Sequence, residues 1–252
     1  GCLAGLDKLV EGEAKLQYKA AIRDLAQPAL DRLGWEPSDS DSSRDLELRG
    51  LFIRLLANVG DDDLAIKNAG DLHDSYLVDA GSVEPNVAAA ATGVVASKGD
   101  SAQYEVFLDK YHNPTTPQEE RRYQSALSAF SGEAEMDRTL AMSLDGTVRT
   151  QDAPYLLAVC MRNKEQGYRA WEFVKSNWDK INKDFPSNSI VRMLSGVTSL
   201  SKPEQAADVI AFFDDHEVPQ GQLTLQQTLE KLRVNVALRE RESGSFSDSL
   251  TS

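Results

Sequence analysis

Cysteine is almost missing from this chain: there are two in 252 residues, Cys2 near the N-terminus and Cys160 inside an apolar run. Two residues so placed make no disulfide framework and no metal-ligand spacing, so the default expectation is a reducing compartment and a cytoplasmic location. Histidine is nearly as scarce, with three. His216-Glu217 begins like the HExxH zinc motif, but position 220 is Gln220, the second ligand is missing, and the pair reads as the end of a helix. His73 and His112 lie among polar residues and read as solvated side chains. The chain has no G-x-S-x-G elbow, no phosphate loop ending in Gly-Lys-Ser/Thr, no G-x-G-x-x-G and no paired-cysteine motif. Cys160, between Val159 and Met161, is placed for burial rather than for nucleophilic attack. By its own chemistry the chain reads as a non-catalytic helical domain with no cofactor or metal of its own.

Basic charge is also short, with 27 Lys and Arg against 40 Asp and Glu, a formal charge of -13. Such a surface repels phosphate backbones and anionic lipid, which argues against nucleic acid and membrane as general partners while leaving room for a local basic pocket. No apolar run approaches the ~20 residues that span a bilayer, and the N-terminal residues lack the charged-then-apolar order of a signal peptide. No segment alternates convincingly with a period of two, so strands are not expected.

What is present is helix. Apolar Leu6, Leu9, Leu16, Ile22 and Leu25, interleaved with charge, predict a helix from about Leu3 to Leu33, closed by Gly34. The acidic, serine-rich stretch Trp35 to Ser43 predicts a loop. From Arg44 a second amphipathic helix carries Leu48, Phe52, Leu55 and Val59 on one stripe and closes at Gly60. Asp61, Asp62 and Asp63 fit a helix N-cap better than a metal site, because carboxylates accept free N–H groups and suit the positive end of the dipole. Further helices are expected over Pro85 to Ser97, Ser101 to Tyr111, Gln118 to Ser131, Glu133 to Leu144, Ser189 to Leu200, Pro203 to Phe213 and Gln222 to Arg239. The run from Tyr155 to Met161 is apolar almost all round and predicts a helix buried on most sides. Trp171, Val174, Trp178, Ile181 and Phe185 step by three and four along one face of the next helix, which Pro186 stops. About a dozen such helices joined by short loops define an all-α chain that follows the logic of an α-solenoid of stacked hairpins, with residues 1–242 as a single domain and 243–252 as a loose tail.

Five ordered segments carry a resemblance: VRTQD at Val148 to Asp152, AWEFVKSNWDKI at Ala170 to Ile181, VRMLSGVTS at Val191 to Ser199, EQAADVIAFFDDH at Glu204 to His216, and QTLEKLRVNV at Gln227 to Val236. With a weaker upstream match through LGWEPSDSDSSRDLELRG at Leu33 to Gly50, they make the chain similar to the C-terminal helical domain of the zinc aminopeptidases related to aminopeptidase N and the endoplasmic reticulum aminopeptidases. In that family the HExxH helix, its third glutamate ligand and a GxMEN segment lie in an earlier domain, and this sequence contains none of them. The resemblance therefore implies a non-catalytic part of a larger metallopeptidase, with zinc held in the parent's catalytic domain. It also implies a HEAT-like curved bowl that encloses the active-site chamber and admits peptide substrates. The catalytic domain of the same parent would be its intramolecular partner. The positions that match the family's basic contacts to the far carboxylate of a peptide are Arg162 in CMRNK and Arg192 in IVRML. Against this stands the plainer use of each as a surface salt bridge or helix C-cap, and, for the whole chain, a free-standing scaffold that binds a peptide or protein in its concave face.

Overall fold

The computed structural model describes residues 2–218 and 221–251, so Gln220, on which the reading of the broken zinc motif turns, lies outside the described residues. Fourteen α-helices and no strand occur among the described residues. They fall into two compact units, one formed by residues up to Gly99 with those from Glu242 on, the other by Asp100–Arg241. Where the sequence was read as one domain with a loose tail, the tail is helical and belongs to the first unit.

The first unit holds α1 (Cys2–Leu6), α2 (Gly12–Leu33), α3 (Ser43–Arg54), a π-helical turn (Leu55–Val59), α4 (Asp63–Val78) and α5 (Pro85–Lys98). The single N-terminal helix expected from sequence is broken between Leu6 and Gly12, because the intervening turn buries Leu9 and Val10. Gly34, at φ 70°, ends α2 by donating its N–H to the Leu30 carbonyl. The buried face of α2 is Ala14, Tyr18, Ile22, Ala26 and Leu30, leaving Leu16 and Leu25 exposed. Ser42 caps α3 through a capping box with Asp45. The buried face of α3 is Arg49, Gly50 and Ile53 rather than the Leu48–Phe52 stripe. A Cβ at Gly50 would lie 2.7 Å from the Asn86 carbonyl oxygen, so α3 and α5 approach backbone to backbone and that contact sets the rotation of α3. Against α5, which is almost solid with buried alanine and valine, α4 presents Ala65, Ala69, His73 and Tyr76. His73 is therefore buried, contrary to the solvated side chain expected, because it falls on the face that meets α5.

The three consecutive aspartates divide their work. Asp62 caps α4, accepting the Ala65 N–H at 2.8 Å. Asp61 stands at φ 52° and clamps two helices, through Lys19 of α2 at 2.6 Å and Lys98 of α5. The Lys19 and Lys98 ammoniums hold its carboxyl down from the ordinary 3.8 to about 2.

The second unit contains α6 (Ser101–His112), α7 (Pro117–Leu127), α8 (Glu133–Ala141), α9 (Ala153–Cys160), α10 (Gly167–Ser176), α11 (Trp178–Asp184), α12 (Ser187–Leu194), a 3-10 turn (Ser195–Ser199), α13 (Pro203–Asp215) and α14 (Gln222–Thr251), of which residues from Glu242 on belong to the first unit. Phe107 meets Tyr123 and Phe130 edge-on at 5.1 and 5.3 Å, joining α6, α7 and the turn after α7. The tryptophan-bearing helix breaks at Asn177 into α10 and α11, yet all five residues of its apolar face are buried. Trp171 and Trp178 both stand edge-on to Phe212 of α13, at 5.3 and 5.5 Å. Burial alone would raise the Asp208 carboxyl, but Lys175 at 2.7 Å, the Trp171 indole N–H at 2.7 Å and Tyr168 at 3.2 Å outweigh it and hold that group below its usual range. Residues 243–251 continue α14, and Phe246 and Leu250 settle on Val10, Ala14, Tyr18 and Ile22, with Phe246 edge-on to Tyr18 at 5.7 Å. The composition of the tail does not order it; this preformed apolar surface does.

Replacing Trp178 by Ala removes an indole that is 5 % exposed and is expected to cost about 3–5 kcal/mol in denaturant melts; a loss below about 1 kcal/mol would mean that the aromatic layer does not hold α10, α11 and α13 together. The depressed pKa of Asp61 gives stability that is complete above its ordinary value and lost as pH falls through about 2. Asp61→Asn should flatten the acid-unfolding limb between pH ~4 and ~2, and an unchanged limb would show that the Lys19–Asp61–Lys98 clamp does not stabilise the fold.

Candidate functional site

The helix α9 is apolar on nearly every side, with Ala153, Pro154, Leu156, Leu157, Ala158 and Cys160 buried. Its Pro154 lies in the first turn, where a missing N–H has no helical partner to lose; Asp152 stands at the cap position without a side-chain cap bond. Burial pushes the Cys160 thiol up to about 12, so it is no nucleophile at neutral pH. Such a helix must be covered, and its closest cover is α12. At Gly196, just after α12, a Cβ would stand 2.7 Å from the Ala158 carbonyl oxygen, so only glycine permits the approach.

Both arginines singled out from sequence lie along this seam. Arg192 of α12 donates from Nη1 to the Tyr155 hydroxyl on α9 at 2.8 Å. Arg162, in the turn that follows α9, donates from Nη2 to the Ser195 hydroxyl at 2.8 Å. Both side chains are exposed, and among the described residues neither forms an ion pair. Arg192 does lie in the last turn of α12, where the dipole favours a cation. Arg138, Arg169 and Lys175, by comparison, are each paired with a carboxylate. Each guanidinium presents five N–H donors in a planar fork, and one bond to a neutral hydroxyl leaves most of them for an outside acceptor. The seam therefore offers two cationic forks, positioned by hydroxyls and suited to bidentate capture of a carboxylate.

Asn163 is the positioning residue that sequence reasoning missed. Its Nδ2 donates to the Ser128 and Phe130 carbonyls at 2.9 Å each, while its Oδ1 accepts the Glu165 and Gln166 N–H groups. These four bonds pin the turn that carries Arg162. An amide with a donor end and an acceptor end was the only signal, and no local pattern marks which amide lies within reach of another helix.

No group of three or more His, Cys, Asp or Glu among the described residues is arranged to hold a metal ion, so a zinc ion finds no ligand set there. His216 stacks on Phe212 at 3.8 Å with its Nδ1 2.8 Å from the Phe212 carbonyl, as a helix-end residue does. No helix among the described residues is long and apolar enough to cross a membrane.

Comparison with known proteins finds similarity to aminopeptidases. Aminopeptidase M1-B of Oryza sativa subsp. japonica is 28 % identical over 245 residues, 93 % of this chain and 27 % of the rice protein. Aminopeptidase M1 of Arabidopsis thaliana is 30 % identical over 217 residues, 83 % of this chain and 24 % of its own length. Human endoplasmic reticulum aminopeptidase 2 is 27 % identical over 230 residues, 88 % of this chain and 23 % of its own. The chain thus spans about a quarter of the length of the curated relatives it matches. The family model described as ERAP1-like C-terminal domain matches residues 1–234, and the chain belongs to that family.

Proposed function

We propose that this chain is the non-catalytic C-terminal domain of a zinc aminopeptidase, and that it encloses the parent's active-site chamber and positions peptide substrates within it. The helices would stack as a curved solenoid wall around that chamber. The observation that carries the positioning role is the pair of exposed guanidiniums, Arg162 and Arg192, held by the Ser195 and Tyr155 hydroxyls without a carboxylate partner. A peptide whose N-terminus lies at a distant metal site presents its C-terminal carboxylate as the one charge always present at its other end. Two arginine forks on a wall of the chamber recognise that group whatever the side chains between. Contact with it adds binding energy for long substrates and orients them, and an enclosed, water-poor chamber strengthens each such charge contact. Cleavage would be the work of the parent's zinc-bearing domain, the intramolecular partner of this one.

Charge reversal at Arg192 (Arg192→Glu) in the full-length parent is expected to raise KM for long peptides by about tenfold or more, the scale of one lost charge-assisted contact, while leaving dipeptide analogues unaffected. Equal losses for both lengths would remove the carboxylate-anchor role. The chain alone, assayed with and without added zinc on aminoacyl amides, is expected to show no turnover; metal-dependent release of the amino acid would overturn the non-catalytic assignment.

A further inference from the structure

The loop between α2 and α3 has a chemistry that peptide anchoring does not use. Residues 36–40 are exposed, and Ser38 is followed by Asp39 at +1 and Asp41 at +3, the spacing that a kinase with a basic substrate cleft selects by charge. Its neighbours fit less well. Ser40 has Ser43 at +3, Ser43 lies inside α3, and Ser42 is committed to the capping box with Asp45.

What Ser38 touches gives the site a consequence. Its hydroxyl donates to Asp41 Oδ1 at 2.9 Å and its N–H to Asp41 Oδ2 at 2.9 Å, while the Asp41 N–H returns to the Ser38 carbonyl at 3.1 Å. The Ser40 hydroxyl lies 2.9 Å from that of Ser38. The same Asp41 carboxylate accepts from Arg49 Nη2 at 2.5 Å. Arg49 is fully buried and turned into this loop, with Nε on the Gly34 carbonyl at 3.0 Å and Nη2 also on the Leu33 carbonyl at 2.8 Å. Among the described residues its Nη1 has no hydrogen-bond partner. A buried guanidinium already short of one acceptor depends heavily on the carboxylate it does have. Asp41 is thus one bolt shared by Ser38 and Arg49, and Trp35, Glu36 and Pro37 of the same loop wall a cavity of about 410 Å³ against Leu72 and Val87.

We propose that Ser38 is a phosphorylation site for an acid-directed serine kinase, and that the phosphoryl group unlatches the 35–42 loop by displacing Asp41 from Arg49. In the step, Ser38 Oγ forms a bond to the γ-phosphorus of ATP, the bond from that phosphorus to the bridging oxygen of ADP breaks, ADP leaves, and the hydroxyl proton passes to the kinase's base. A neutral donor to Asp41 becomes a group of charge about -1.5 to -2 beside that carboxylate. The donor bond is lost and like charges repel, so Asp41 leaves the buried arginine and the wall of the cavity moves with it.

The test is to incubate the intact chain with a purified acid-directed serine/threonine kinase and magnesium ATP, map the phosphate by mass spectrometry, and follow amide hydrogen exchange, with Ser38→Ala and Ser42→Ala treated alongside. The expected result is phosphate on Ser38 in the wild type and in Ser42→Ala and no such phosphate in Ser38→Ala, with exchange at the Ser38 and Asp41 amides about tenfold faster after phosphorylation and a Tm lower by about 2–4 °C. Untreated Ser38→Ala should keep the Asp41–Arg49 pair and change Tm by less than the phosphorylated wild type does. Phosphate on Ser40, Ser42 or Ser43 instead, or none at all, would overturn the site. Phosphate on Ser38 with exchange and Tm unchanged would overturn the latch.

Discussion

The second unit depends on the burial of one short helix. α9 has almost no polar face, so it is stable only when other elements cover it; α12 packs on it, and the 3-10 turn after α12 comes so close that the Ala158 carbonyl stands where a Gly196 side chain would go. The same solution appears in the first unit, where Gly50 of α3 meets the Asn86 carbonyl at the start of α5. Contacts of this kind do not tolerate drift. They fix the rotation of each helix, and with it which side chains face the core and which face outward.

The candidate site follows from that rotation. With α9 and α12 locked together, Tyr155 and Ser195 come opposite Arg192 and Arg162, and each hydroxyl fixes a guanidinium without neutralising it. Other cations are held by carboxylates: Asp208 gathers Lys175 together with Trp171 and Tyr168, and Arg169 meets both Glu133 and Asp137. Each guanidinium keeps most of its donors free, and that is the geometry on which the proposed anchoring of a carboxylate rests.

Local signals in the sequence were read correctly where the physics is local. Gly34, Asp62 in its aspartate run, and Pro85 and Pro203 at helix starts mark ends because capping and first-turn preferences act between residues a few positions apart. The aromatic face from Trp171 to Phe185 was legible for the same reason, although the helix bearing it breaks at Asn177. The stripes of α2 and α3 were misread. Leu16 and Leu25 are exposed, and in α3 the seam runs through Arg49 and Gly50, because helical spacing defines candidate faces without saying which one meets a neighbour. His73 was misplaced likewise, by its polar sequence neighbours rather than by the α5 surface it meets.

Composition, periodicity and caps were enough to determine that the chain is all-α, roughly where many of its helices begin, that Cys160 is buried, and that no familiar catalytic motif is present, since each of these depends on residues close in sequence. Only the tertiary structure decided the remaining points: the division into two units, the helical continuation of residues 243–251 over Tyr18, the Asp61 clamp between Lys19 and Lys98, and the placement of Arg162 and Arg192 along one seam. Those depend on which distant surface a side chain meets. That is settled by close packing among helices far apart in the chain, an interaction with no sequence period to read.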